Sequence, residues 1–157
     1  KVSLMVVGDG PVRPELEAQA LRLGVAQRLV FTGVVPRTEV PAAAMAFDIA
    51  LQTALVPYAS PLCLFEYMAL GKVILAPDQA NHHEVLEKGV DCEMYDPEAP
   101  GSIETRLDAL MADPKRRAEL GAAAKRTLQT RQFVWDGNAR RVAAEATSLV
   151  GAKPAHL

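Results

Sequence analysis

An alternation of short β-forming runs with helical patterns most constrains how this chain can fold. Runs of β-branched and aliphatic residues predict strands, and the stretches between them have helical periodicity. Strands that alternate with helices cannot pair as hairpins, so they form a parallel sheet covered by helices. The predicted strands are residues 2–7, 29–32, 48–53, 73–76 and 92–95.

Helices are predicted between these strands and after the last of them. Gly24, Gly71 and Gly89 are typical helix stops. After about Asp96 the predicted strands cease and only helical patterns remain. We therefore expect an α/β fold, a Rossmann-like parallel sheet flanked by helices with an all-helical C-terminal tail. The predicted helices are residues 14–23, 40–46, 61–70, 83–88, 103–111, 114–129 and 135–149.

Length and composition predict a single folded domain. The 157 residues suffice for one core but not for two typical domains, and half of them are hydrophobic. Without a repeat or a linker pattern, residues 1–150 are interpreted as one domain and residues 151–157 as a loose tail. The formal charge of -2 gives no field that would attract nucleic acid. Two cysteines without metal-ligand spacing make a reducing compartment the default.

The most informative local pattern is a helix start in residues 60–72. Ser60 is a favoured N-cap, and Pro61 suits the first helical position. The backbone amides of Leu62, Cys63 and Leu64 are then expected to point outward from the positive end of a helix. Such a helix end suits a phosphate group.

A carboxylate lies just inside the same helix. Glu66 is one turn beyond Leu62 and on the same face, where it can accept hydrogen bonds from hydroxyl groups attached to a bound phosphate. Together the two features suggest a nucleotide diphosphate and its ribose. The alternative is an ordinary capped helix with a solvated Glu66.

Two glycine turns follow the first two predicted strands. Gly8 lies where doubly wound folds place a phosphate loop, although a plain strand-to-helix turn with Pro11 entering the helix is the favoured explanation. The loop from Gly33 to Val35 follows the second strand at the same sheet edge and has the same alternative.

Adjacent histidines after the fourth predicted strand raise the question of a metal site. His82 and His83 point in different directions on a helix, and no further ligand has suitable spacing. Asn81 as an N-cap with Glu84 three residues later is a capping box, which explains these residues without a ligand.

Residues 60–77 resemble the donor-binding helix of the family 4 retaining glycosyltransferases, which have the GT-B fold. Further segments match in the family's order, and the resemblance extends from about residue 1 to about residue 142. The ordered set is more specific than any single motif. The other matching segments are residues 7–11, 30–33, 46–50, 78–81, 84–86, 113–121 and 133–141.

The resemblance implies the C-terminal, donor-binding domain of a two-domain enzyme, without its opening strand and helix. Such an enzyme transfers a sugar from a UDP- or GDP-sugar to a glycan or lipid acceptor with retention of configuration, using no metal and no cofactor beyond the donor. The implied partners are the donor, the acceptor and the N-terminal domain of the same chain. The implied location is cytoplasmic, with peripheral contact to the inner membrane face. Residues 1–157 alone are expected to be inactive.

The resemblance also implies roles for individual residues, with two departures from the family pattern. The family's first glutamate falls at Tyr58, and Cys63 replaces a lysine that is frequent in similar motifs. These departures keep two alternatives open: a non-catalytic nucleotide-sugar-binding or scaffolding module, and an epimerase-type GT-B enzyme. No catalytic residue is assigned. The implied donor-binding residues are Glu66 at the ribose, Ser60, Leu62, Cys63 and Leu64 at the phosphates, Gly33 and Val35 at the base, and Gly8.

Overall fold

The computed structural model describes residues 2–56, 58 and 62–151, which form two compact units, Lys1–Asp48 and Ile49–Leu157. In the first unit, strands β1 (Leu4–Val6) and β2 (Leu29–Phe31) pair in parallel, with Leu4 opposite Leu29 and Val6 opposite Phe31. A short 3₁₀ helix, Ala26–Arg28, precedes β2 and was not predicted. The elements of this unit are β1 (Leu4–Val6), α1 (Arg13–Arg22), β2 (Leu29–Phe31) and α2 (Val40–Met45).

The second unit contains a three-stranded parallel sheet in the order β3-β4-β5. Within the described residues, three helices follow β5 (Glu93–Tyr95), which confirms the predicted α/β class and its helical C-terminal tail. The elements of this unit are β3 (Ile49–Leu51), α3 (Leu62–Ala69), β4 (Val73–Pro77), α4 (Ala80–His83), β5 (Glu93–Tyr95), α5 (Ser102–Ala112), α6 (Pro114–Thr130) and α7 (Trp135–Gly151).

Strand β4 is the centre of this second unit. All of its residues are buried, because side chains of a strand alternate between the two faces of the sheet and here helices cover both faces. Ile74 and Ala76 belong to a core cluster with residues of α3 and α6. Val73 and Leu75 belong to a second cluster with residues of α5 and α6. The alternation therefore places β4 between two helical layers.

Most element boundaries lie within two residues of the prediction, but the helix predicted at residues 83–88 is wrong. The observed α4 is Ala80–His83, with Gln79 at its N-cap. Asp91 explains the difference: its carboxylate accepts a hydrogen bond from the Glu87 amide at 2.7 Å and another from the Thr127 hydroxyl at 2.7 Å. This contact with α6 holds residues 87–91 in a turn.

The predicted capping box at residues 81–84 is also wrong. Asn81 lies inside α4 rather than at its N-cap, and its Nδ2 atom donates to the backbone oxygen of Val56 at 2.9 Å. Asn81 therefore connects α4 to the segment that follows β3.

A close backbone approach in the second unit joins α6 to the turn between α3 and β4. A Cβ atom at Gly121 would overlap the backbone oxygen of Gly71. Gly71 itself has a φ of +67°, as the stop after α3 requires. Glycine at position 121 thus lets α6 lie directly against this turn.

We predict that Gly121→Ala lowers the free energy of unfolding by about 1–3 kcal/mol, because backbone atoms must move to admit the methyl group. Gly10→Ala is the control, since a Cβ atom there meets no atom within 4 Å. Urea unfolding of both variants measures the effect. Equal stability of the two variants would contradict the close approach.

Candidate functional site

The two glycine turns of the first unit are in direct contact. The Gly8 amide, just after β1, donates to the Gly33 carbonyl, just after β2, at 3.0 Å. Their φ angles of +133° and +69° lie in a region that other residues rarely adopt. The structure therefore brings together two of the predicted site residues, with Val35 half-buried two positions later.

Asp9 serves the local structure of this turn. One carboxylate oxygen accepts from the Gly10 amide at 2.8 Å, and the other lies 3.3 Å from the Arg13 guanidinium at the start of α1. These contacts match the plain strand-to-helix turn that was weighed as the alternative for this segment.

In the second unit, α3 carries four of the other predicted site residues. Leu62 begins the described helix with a side chain that is 78 % exposed, whereas the side chain of Leu64 is fully buried in the core. Glu66 is exposed one turn after Leu62. Ser60, the predicted N-cap, and Pro61 lie outside the described residues. The described part of α3 thus has one face in the core and an accessible carboxylate.

Cys63, in the first turn of α3, is half-buried and neutral. Its thiol donates a hydrogen bond to Gln52 Oε1 at 3.7 Å. Burial raises the pKa of the Cys63 thiol, and the nearby Glu66 carboxylate raises it further. The side chain therefore supplies no charge where similar motifs often have lysine. Burial raises the pKa of Tyr67 to about 12, and the neighbouring Cys63 contributes a smaller part of this rise.

Buried polar residues follow two adjacent strands of the three-stranded sheet, and one of them, Gln52, was missed by the sequence analysis. Gln52 follows β3 and is 7 % exposed, while Asn81 and His82 lie in α4, shortly after β4. Within the described residues, Gln52 Nε2 and both ring nitrogens of His82 lack hydrogen-bond partners. A polar residue directly after an apolar strand is the signal that points to Gln52, because ligands of α/β proteins bind outside the carboxyl ends of strands.

Asp78, directly after β4, is already paired. Its carboxylate oxygens lie 2.5 Å from the Lys88 ammonium and 2.6 Å from the His83 ring. The hydrogen bond from Lys88 lowers the pKa of Asp78, and the hydrogen bond from His83 lowers it further. Among the residues that the structure describes, no three His, Cys, Asp or Glu side chains are placed to hold a metal ion.

The parallel strands and the helices that flank them define a Rossmann-like α/β protein. The chain belongs to the family Glycosyl transferases group 1, whose model matches residues 1–127. This membership confirms the resemblance seen in the sequence.

Individual relatives agree with the family assignment. The chain is 29 % identical over 129 residues to the GDP-mannose-dependent alpha-(1-6)-phosphatidylinositol monomannoside mannosyltransferase of Mycolicibacterium smegmatis, covering 78 % of this chain and 34 % of that enzyme. The structure of Anabaena Alr3699/HepE in complex with UDP matches with a TM-score of 0.82 at 24 % identity, over 94 % of this chain and 41 % of that one.

A third match indicates which part of such an enzyme the chain resembles. The C-terminal domain of the glycosyl transferase group 1 family protein LpcC from Francisella tularensis matches with a TM-score of 0.72 at 21 % identity, over 83 % of this chain and 69 % of that one. The chain spans well under half of the Mycolicibacterium and Anabaena proteins. None of the helices in the described ranges is both long and apolar enough to cross a membrane.

Because His82 is buried, we predict that the folded protein loses stability in acid. Burial lowers the pKa of His82 below its usual 6.5, with a smaller effect from the adjacent His83. The unfolded chain therefore binds a proton more readily, and stability present above about pH 6.5 is lost as the pH falls through that value. We expect His82→Leu to reduce the drop in melting temperature between about pH 7.5 and pH 5.5.

The exposed neighbour supplies the control for this measurement. His83→Leu leaves the buried ring in place and should retain the acid-dependent loss. If the melting temperatures of wild type and His82→Leu fall by the same amount, the buried imidazole is not its cause.

Proposed function

We propose that this chain is the donor-binding part of a retaining glycosyltransferase that transfers a sugar from a UDP- or GDP-sugar to a glycan or lipid acceptor. The observation that carries the proposal is the start of α3, where an exposed carboxylate, Glu66, lies one turn beyond the first described residue, Leu62. A helix start binds a phosphate group, and a carboxylate accepts hydrogen bonds from ribose hydroxyls.

In this proposal, the protein contributes mainly by binding the leaving nucleotide rather than by covalent chemistry. The amides of Leu62, Cys63 and Leu64 stabilise the diphosphate as negative charge develops on it. The helix dipole adds a partial positive charge at the same place. Cations elsewhere in the whole protein complete the charge balance, since the Cys63 thiol is neutral.

For the first unit taken by itself, we propose that its glycine turns contact a nucleotide. The backbone of Gly33 and Val35 would contact the base, and Gly8 would contact the phosphate region. Backbone groups suit this role because glycine turns leave amide and carbonyl groups accessible to a ligand. The hydrogen bond between Gly8 and Gly33 keeps the two turns together.

Named relatives support both nucleotide classes. The Mycolicibacterium enzyme is GDP-mannose-dependent, and the Anabaena protein was solved with UDP and with UDP-glucose. Acceptor binding is assigned to the N-terminal domain of the same chain, with no metal and no further cofactor. We propose a cytoplasmic location with peripheral contact to the inner membrane face.

Replacement of Glu66 tests the ribose assignment. In the whole gene product, Glu66→Ala should weaken UDP or GDP binding by about 1–3 kcal/mol, because the ribose hydroxyls lose a charged acceptor. Glu66→Gln keeps one acceptor oxygen and should cost less. Isothermal calorimetry measures both variants. Glu104→Ala, on the exposed surface of α5, is the matched control and should bind like wild type. Unchanged affinity in Glu66→Ala would remove the ribose role.

Adding a charge at position 63 tests the phosphate assignment. Cys63→Lys should tighten UDP or GDP binding more than it tightens uridine or guanosine binding, and salt should reduce the gain because a partly exposed charge is screened. Titrations at low and high salt measure this difference. Equal effects on nucleotide and nucleoside would place position 63 away from the phosphates. Nucleotide binding without sugar transfer to any acceptor would instead favour the non-catalytic module.

A further inference from the structure

Gln52 occupies a rigid position at the carboxyl end of β3. Its backbone amide donates to the Leu75 carbonyl at 2.9 Å, which continues the pairing of β3 with β4 by one residue. Gln52 directly follows β3, and the neighbouring strand β4 is completely buried. Its location is therefore determined by the sheet rather than by a loop.

The side-chain amide of Gln52 is only half satisfied. Oε1 accepts the hydrogen bond from the Cys63 thiol at 3.7 Å, while Nε2 has no acceptor among the described residues although the side chain is 7 % exposed. Buried amide donors are nearly always paired in folded proteins. An N–H group left without an acceptor in the free protein is therefore expected to find one on a ligand.

Cys63 determines which way the amide points. The Cys63 thiol donates to Gln52 Oε1, so the oxygen of the amide faces the sulfur and the NH₂ group faces away from it. Burial raises the pKa of this thiol, which keeps the proton in place. Because Cys63 belongs to the first turn of α3, the NH₂ group lies beside the start of that helix.

We propose that Gln52 Nε2 donates a hydrogen bond to a phosphate oxygen of the nucleotide diphosphate at the start of α3, with Cys63 holding the amide in the donating orientation. This inference rests on the proposed function and adds a binding residue that contributes no charge. Phosphate oxygens fit this role because they only accept hydrogen bonds, as the unpartnered donor requires. Ribose hydroxyls are already assigned to Glu66, farther along the helix.

Two substitutions of Gln52 in the whole gene product separate a ligand contact from a structural one. Gln52→Met keeps the size and removes the donor, and it should weaken UDP or GDP binding about fivefold to tenfold. Gln52→Glu keeps the shape but places a carboxylate near the phosphates, so its loss of UDP or GDP affinity should be larger. Binding of uridine or guanosine should change less than about twofold in both. Gln129→Glu makes the same charge change on the exposed surface of α6 and should bind like wild type.

The melting temperature separates a ligand contact of Gln52 from a merely structural role, because the two predict opposite changes. Since Nε2 has no partner in the described part of the unliganded protein, Gln52→Met should leave the melting temperature unchanged or raise it. Cys63→Ala should lose part of the diphosphate affinity, because the amide loses its anchor, and Cys63→Ser should restore it.

The possible results distinguish this inference from the function on which it rests. If wild type binds UDP or GDP and Gln52→Met binds it equally well, Gln52 is not a phosphate ligand and the donor-binding function stands. A lower melting temperature with equal losses for nucleotide and nucleoside assigns Gln52 a structural role and overturns the inference. A wild-type protein that binds neither nucleotide overturns the proposed function and this inference together.

Discussion

The second unit depends on the burial of β4 between two parallel neighbours and two helical layers. Every residue of this strand is buried, so each side chain must fit either the α3–α6 cluster or the α5–α6 cluster. A one-residue slip in pairing would exchange these two sets of side chains. The register observed between β3 and β4 is therefore strongly specified, and with it the point where Gln52 leaves β3.

The same packing positions the start of α3. Leu64 and Met68 fix one face of the helix in the core, and the contact between Gly121 and Gly71 holds α6 against the turn at its other end. A short helix has little stability of its own, so its orientation comes from these contacts. Glu66 and Cys63 are thus presented by a helix that Leu64 and Met68 anchor in the core.

Local patterns sufficed to predict the strands, most of the helices and the exposed Glu66, because these features depend on periodicity within a few residues. The helix predicted at residues 83–88 failed because Asp91 bonds Thr127, far along the chain. Gln52 was missed for a similar reason: its burial depends on how strands and helices pack, and it forms no motif with its sequence neighbours. Asn81 fits the sequence pattern of an N-cap, yet its amide serves Val56.

In the proposed phosphate site, the neutral character of the α3 start changes how an anion would be held. With cysteine in the place of a lysine, attraction would come from backbone amides and from a side-chain amide, and these are directional rather than long-ranged. Directional donors must be held in position before the ligand arrives, which costs stability when they are buried without partners. The half-satisfied Gln52 beside a neutral thiol is the arrangement expected of a site that selects by geometry more than by charge.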